Sequence, residues 1–174
     1  MAETPNKEGK SLPELVLICG LPGTGKTTVA RFLARKINAE IIRTDAVRKQ
    51  MFRKPVYSEE EKSRVYNRVL EITESLLKKG KNVIVDATLY KKSLRKPFYE
   101  LSEKLGTKLK VIECICPEKI LKERLRSRRN DLSDADFQVY LKIKKQWEEI
   151  EREHIIVNTS KNLEKQLADE ISNQ

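Results

Sequence analysis

The sequence is sparing with the residues that build several protein classes. It has three cysteines, one histidine and one tryptophan in 174 residues. So small and odd a cysteine count argues against a disulfide framework, and a single histidine against a zinc site of several imidazoles. Cys114 and Cys116 stand two apart on an expected strand and share a face. His154 lies far along the chain, so the pair reads as buried thiols. No apolar run approaches the ~18 residues of a membrane span. The first 13 residues, MAETPNKEGKSLP, are polar and lack the apolar stretch of a signal peptide. They are expected to be a disordered lead-in to one domain over residues 14–174, located in the cytoplasm. Internal repeats, low-complexity tracts and an Asn-Lys-x-Asp guanine-specificity motif are all absent from the sequence.

What the chain has in excess is positive charge: 36 Lys and Arg against 26 Asp and Glu, a net +10. That balance favours anionic partners such as nucleotides, phosphorylated metabolites or nucleic acid. A surface rich in Lys and Glu is equally a mark of heat-adapted proteins, so the placement of the charge matters more than its total.

Glycine is scarce as well, yet three of the six fall in one turn. Leu15–Cys19 is an apolar run too short for a helix and suited to a buried strand. The chain then turns through Gly20, Pro22, Gly23 and Gly25, and a helix-patterned segment begins at Lys26. Gly20-x4-Gly25-Lys26-Thr27, between a strand and a helix, is the phosphate-binding loop spacing. Glycines let backbone N–H groups turn inward and approach a polyphosphate, and the following helix adds unpaired N–H donors with partial positive charge. Gly20, Leu21, Pro22, Gly23, Thr24, Gly25, Lys26, Thr27 and Thr28 are therefore expected to hold the phosphates of a nucleotide. Lys26 brings charge to the transferring phosphate, and the Thr27 hydroxyl is placed to hold Mg²⁺. In a chain of this length such a pattern arises by chance well under about 1% of the time.

Strand and helix signals alternate beyond the loop. A helix from Lys26 to about Lys36 leads to a short strand at Glu40–Thr44 and a brief helix after Asp45. Ser58 and Glu61 form a capping box for a long helix that Gly80 ends. A strand at Asn82–Asp86 precedes a helix carrying Leu94, Phe98, Leu101 and Leu105 and stopping at Gly106. Lys108–Ile115 is the fourth strand, with Pro117 opening the next helix. A polar segment, Arg126–Asp134, leads to a helix capped at Ser133 and running through Phe137, Tyr140, Trp147 and Ile150, its apolar stripe interrupted by Lys144. The fifth strand is His154–Val157, and a last helix carries Leu163, Leu167 and Ile171. Five strands joined through helices imply an α/β fold: a mostly parallel sheet with helices on both faces.

Ligands bind such sheets at the C-terminal edge of the strands, which makes the loop residues readable. Asp45, directly after strand two, can accept the proton of an attacking hydroxyl; its competing role is to cap the helix starting at Ala46. Arg48, one turn on, either holds an anionic group of the acceptor or is simply solvated. Asp86 ends an apolar strand where a carboxylate can serve Mg²⁺. Ala87 follows it in place of a second carboxylate, which favours transfer to an acceptor over hydrolysis. Arg95 is a further candidate for substrate contact. Arg124 and Arg128, spaced i, i+4, can stabilise charge on the transferring group, within a lid over about residues 124–134. His154 reads as structural.

With these residues in view, the chain resembles the P-loop kinases grouped around phage polynucleotide 5′-kinase, with zeta-toxin-like, gluconate and chloramphenicol kinases and many kinases of unassigned substrate. The resemblance covers about Leu15–Ile150 and rests on GLPGTGKTT, RTDAVRKQM, VIVDATLYKKSLR and LKERLRSRRND. It implies a five-stranded P-loop core of the kinase type with an Arg-rich lid, and Mg·ATP as phosphate donor. It also implies a general base at Asp45, a substrate-contacting arginine at Arg48, lid arginines at Arg124 and Arg128, and an adenine pocket involving Asn158–Ser160. A hydroxyl acceptor follows, a polynucleotide 5′ end of RNA or DNA, or a nucleoside, being the first expectation and a small molecule the alternative. Two departures bear on the acceptor. The third motif reads DATLY where the phage enzyme has Asp-Thr-Asn, and no phosphatase or ligase domain is expected within these 174 residues.

Overall fold

Six consecutive buried residues, Glu14–Cys19, form β1, and a strand hidden on both faces must lie at the centre of a covered sheet. In the computed structural model, which describes residues 11–127 and 136–172, the sheet has five parallel strands in the order β2-β3-β1-β4-β5. The others are β2 (Ala39–Arg43), β3 (Asn82–Asp86), β4 (Lys108–Ile115) and β5 (Ile155–Asn158). The connections carry α1 (Lys26–Ile37), α2 (Thr44–Met51), α3 (Glu59–Lys78), α4 (Lys92–Leu105), α5 (Glu118–Ser127) and α6 (Phe137–Lys144), and α7 (Leu163–Ser172) follows β5.

Alternation along β1 sorts the core into two layers. Leu15, Leu17 and Cys19 pack with Val65 and Val69 of α3 and Phe98 and Leu101 of α4. Val16 and Ile18 point to the other face, against Val29, Ala30 and Leu33 of α1 and Leu167 of α7. Burial pushes the thiols of Cys19 and Cys114 up to about 12, so both stay protonated and inert.

Several expectations need correction. Pro13, just ahead of β1, already joins the sheet, its carbonyl accepting from Lys108 N at 3.1 Å. The capping box is half formed: Glu61 N donates to Ser58 Oγ at 3.1 Å, but the Glu61 carboxylate turns to Val56 and Arg48. The helix expected to run to Ile150 stops at Lys144 and is capped by Asp136, which accepts from Val139 N; Ser133 lies outside the described residues. Beyond Lys144 the backbone is captured from the side. Glu148 N donates to Tyr90 O, and Arg95 Nη2 donates to Glu149 O, each at 2.8 Å. These bonds draw Ile150 into the first core layer. Lys144, which interrupts the stripe, is exposed and pairs with Glu118 at 3.1 Å.

Candidate active site

The phosphate loop sits at the C-terminal end of the central strand, where the connection after β1 runs to one side of the sheet and β4 lies on the other. Its turn is closed by Thr24 Oγ1 donating to Leu21 O at 2.7 Å, and it is tied to the segment after β3 through Gly20 N donating to Thr88 O at 3.2 Å. Gly25, at φ 87, begins α1 in a left-handed conformation; a Cβ there would meet Thr159 Oγ1 at 3.0 Å and Arg124 Nη1 at 3.2 Å. At Gly20 a Cβ would meet Cys114 O at 2.6 Å. The sequence requirement for glycine at these two points is thus a requirement of packing as well as of backbone angle.

A cleft of about 970 Å³ opens over this edge. It is lined by Pro22, Gly23, Gly25, Lys26, Thr27 and Thr28 of the loop, by Asp45 and Arg48 of α2, by Asp86, and by Arg124 of α5. Gly20, Leu21 and Thr24 form the turn beneath. Positive charge collects here: Lys26, Arg31, Arg43, Arg48, Lys62, Arg124 and Lys142 line the cleft against Asp45, Glu59 and Asp86. Lys26 Nζ donates to Leu21 O at 3.0 Å, which curls the ammonium over the loop.

Thr27 and Asp86 are brought together, with Thr27 Oγ1 donating to Asp86 Oδ2 at 2.7 Å. The register explains it: Ile18, Asp86 and Arg43 stand side by side across three strands. Arg43 Nε lies 3.3 Å from the same Asp86 oxygen, a partner that sequence reasoning did not assign. A hydroxyl and a carboxylate in contact are hard oxygen donors of the kind Mg²⁺ takes one or two at a time alongside phosphate oxygens. Among the described residues no group of three or more His, Cys, Asp or Glu side chains converges as a metal cage.

Helix α2 opens at Thr44, so Asp45 stands inside its first turn and not at the cap position. Its carboxylate borders the cleft near Tyr66. Burial first, with Asp45 among the smaller contributions, holds the Tyr66 phenol well above its ordinary value and therefore protonated. Lys62 Nζ donates to Tyr90 Oη at 2.7 Å and to Glu59 Oε1 at 2.6 Å. Partial burial opposes its charge, but those two partners outweigh it and raise the Lys62 pKa.

Arg124 Nη1 donates to Thr159 Oγ1 at 2.8 Å and Nη2 to Thr159 O at 3.0 Å, while Thr159 Oγ1 donates to Thr24 O at 2.7 Å. The helix of the expected lid, the loop after β5 and the phosphate loop are therefore laced together through Thr159. Arg128 lies outside the described residues. One expected contact is corrected. Arg95 is 0% exposed and does not line the cleft; it donates to Leu89 O and Glu149 O, each at 2.8 Å, and meets Glu151 at 3.2 Å. Arg48 does border the cleft, but its charge is taken by a buried ion pair with Glu61. Tyr57, Lys62 and Lys142 line the cleft without having been singled out. Their spacing on separate elements gives no sequence signal.

A parallel sheet with this strand order, a glycine turn at the tip of its central strand and a Thr–Asp pair beside it define a P-loop nucleotide-binding fold of the kinase type. The chain belongs to the AAA_33 family, described as an AAA domain, which it matches over residues 15–150. It is 28% identical over 137 residues to the uncharacterised protein Rv2004c of Mycobacterium tuberculosis; the match covers 72% of this chain and 28% of that protein. The chain thus spans under a third of the length of the curated relatives it matches. Among solved structures it is similar to the Mycobacterium tuberculosis APS kinase CysC in complex with AMPPNP and APS. That likeness has TM-score 0.70 and 16% identity, over 91% of this chain and 95% of that one. It is also similar to a chain of the Pnkp1/Rnl/Hen1 RNA repair complex, with TM-score 0.66 and 23% identity, over 82% and 46%. Among the described residues no helix is long and apolar enough to cross a membrane.

Proposed function

We propose that the protein is an ATP-dependent kinase that transfers the γ-phosphate of Mg·ATP to a hydroxyl, with the 5′-OH of a polynucleotide or nucleoside as the first acceptor to test. The observation that carries this reading is the gathering of Lys26, the Thr27–Asp86 pair, Asp45 and Arg124 on one cleft. The loop amides and Lys26 hold the triphosphate, and Thr27 with Asp86 would hold Mg²⁺. When bound, the metal would supply charge neutralisation for the transfer. The acceptor oxygen forms its bond to the γ-phosphorus as the bond to the β,γ-bridging oxygen breaks, and ADP departs. Asp45 takes the proton of the attacking hydroxyl, and Arg124 steadies the transferring charge.

A small-molecule acceptor is a second reading. The cleft volume of about 970 Å³ suits a nucleotide with one compact partner, and the similar fold of CysC is seen with AMPPNP and APS. The deciding experiment offers γ-labelled ATP with a 5′-OH oligoribonucleotide, with nucleosides, and with a pool of sugars. Label transferred to any of these by the native protein and lost in Lys26→Ala supports a kinase. Label entering none, with hydrolysis unaffected by Asp45→Ala, would make the protein a nucleotide-binding switch.

A further inference from the structure

The segment between α2 and α3 carries a conformation that asks for a reason. Tyr57 has φ 57, in the left-handed region that a bulky aromatic residue seldom enters. It is 49% exposed, and its neighbour Val56 is 76% exposed, so the fold gains little burial there. The pose is nevertheless held from three sides. The Glu61 carboxylate accepts from Val56 N at 2.8 Å and from the backbone of Tyr57, and it forms the buried pair with Arg48. The Arg48 guanidinium in turn lies 4.9 Å from the Tyr57 ring centroid. Strained backbone that surrounding groups fix in place, beside a binding cleft, marks a residue whose position is being used.

We propose that Tyr57 is an aromatic platform on which a planar heterocyclic base of the acceptor stacks, so that the acceptor is a base-bearing hydroxyl compound. The inference rests on the kinase reading above and narrows it. Glu61 neutralises Arg48, so this wall of the cleft presents a cation-backed ring and not a bare charge for a phosphate. Tyr57 and Arg48 line the same cleft as Asp45, which would receive the proton of the acceptor hydroxyl. A ring stacked on arginine is polarised, which suits a nucleobase more than an aliphatic sugar. Lys142, which also lines the cleft, suits an acceptor that carries further negative charge. A free nucleoside and the 5′-terminal nucleotide of an oligonucleotide offer the same base chemistry, and the test separates them.

Initial rates are compared for a nucleoside, a 5′-OH oligoribonucleotide, the same oligonucleotide with an abasic 5′ residue, and a sugar pool. The native protein, Tyr57→Phe and Tyr57→Leu are each assayed, with ATP affinity measured in parallel. We expect the native protein to favour the base-bearing end over the abasic one by about tenfold, within the range of base–aromatic stacking. Tyr57→Phe retains that preference. Tyr57→Leu raises the acceptor KM and abolishes the preference, with ATP affinity and saturating kcat unchanged. Equal use of the base-bearing and abasic ends by the native protein, or a preference untouched by Tyr57→Leu, overturns the platform. Transfer to sugars alone also overturns it while the kinase reading stands; transfer to nothing overturns both. A preference for the nucleoside over the oligonucleotide identifies the free compound as the source of the base.

Discussion

The Thr27 hydroxyl donates to Asp86 Oδ2 at 2.7 Å, joining the helix of the phosphate loop to the end of β3 across 59 positions of sequence. The same oxygen lies 3.3 Å from Arg43 Nε, so the carboxylate has one hydroxyl donor and one ion-pair partner. Asp86→Asn keeps the shape and removes the charge. It should lower Mg²⁺-dependent turnover by about 10–100-fold and raise the Mg²⁺ concentration needed for half activity. A titration of rate against Mg²⁺ reads this directly, and an unchanged curve would remove Asp86 from the metal site.

Asp45 stands in the first turn of α2, facing the cleft, and its proposed task is to accept one proton. Asp45→Asn should cut turnover by about 10²–10⁴-fold, the usual worth of a positioned base. ATP affinity measured by calorimetry should stay as it is in the native protein. Weakened ATP binding of comparable size would make Asp45 a nucleotide contact instead.

Gly25 combines φ 87 with close neighbours in Thr159 and Arg124. Gly25→Ala therefore meets both backbone strain and a packing conflict, and should destabilise the fold by at least about 1 kcal/mol. ATP affinity should fall as well, because the displaced groups connect the loop to α5. Denaturant unfolding with and without ATP separates the two effects.

Arg95 is buried and supplies donors to two backbone carbonyls, those of Leu89 and Glu149. Arg95→Met should cost on the order of 3 kcal/mol of stability by leaving buried acceptors unpaired. Well below its melting temperature the variant should keep the native acceptor KM. A raised KM with unchanged stability would restore Arg95 to the substrate site.

Glu61 predicts an acid-sensitive loop. Burial pushes its carboxyl pKa up, but hydrogen bonds from the Val56 and Tyr57 backbone and from Arg48 outweigh it and hold the carboxyl below its ordinary range. A carboxyl lowered in the folded state stabilises fully above its unfolded pKa, and that contribution disappears as pH falls through the folded value. Hydrogen exchange of residues 52–58 should therefore quicken on acidification below about pH 4.5. In Glu61→Gln it should be faster at neutral pH and lose that acid-dependent step.

The phosphate loop was legible in sequence because its demands are local. Gly20, Gly25, Lys26 and Thr27 sit within eight residues, and strand, turn and helix follow from their neighbours alone. The parallel five-stranded sheet was legible for a similar reason, since each strand and helix announces its own period. Pairings between distant residues were decided by the tertiary structure. Arg95 and Arg48 looked alike as cations near an active edge. The fold buries one against the carbonyls of Leu89 and Glu149 and pairs the other with Glu61. The strand order set Arg43 beside Asp86, and the loop after β5 brought Thr159 between Arg124 and Thr24. Local chemistry is written in spacing, whereas a charge's partner depends on which surfaces the sheet brings face to face.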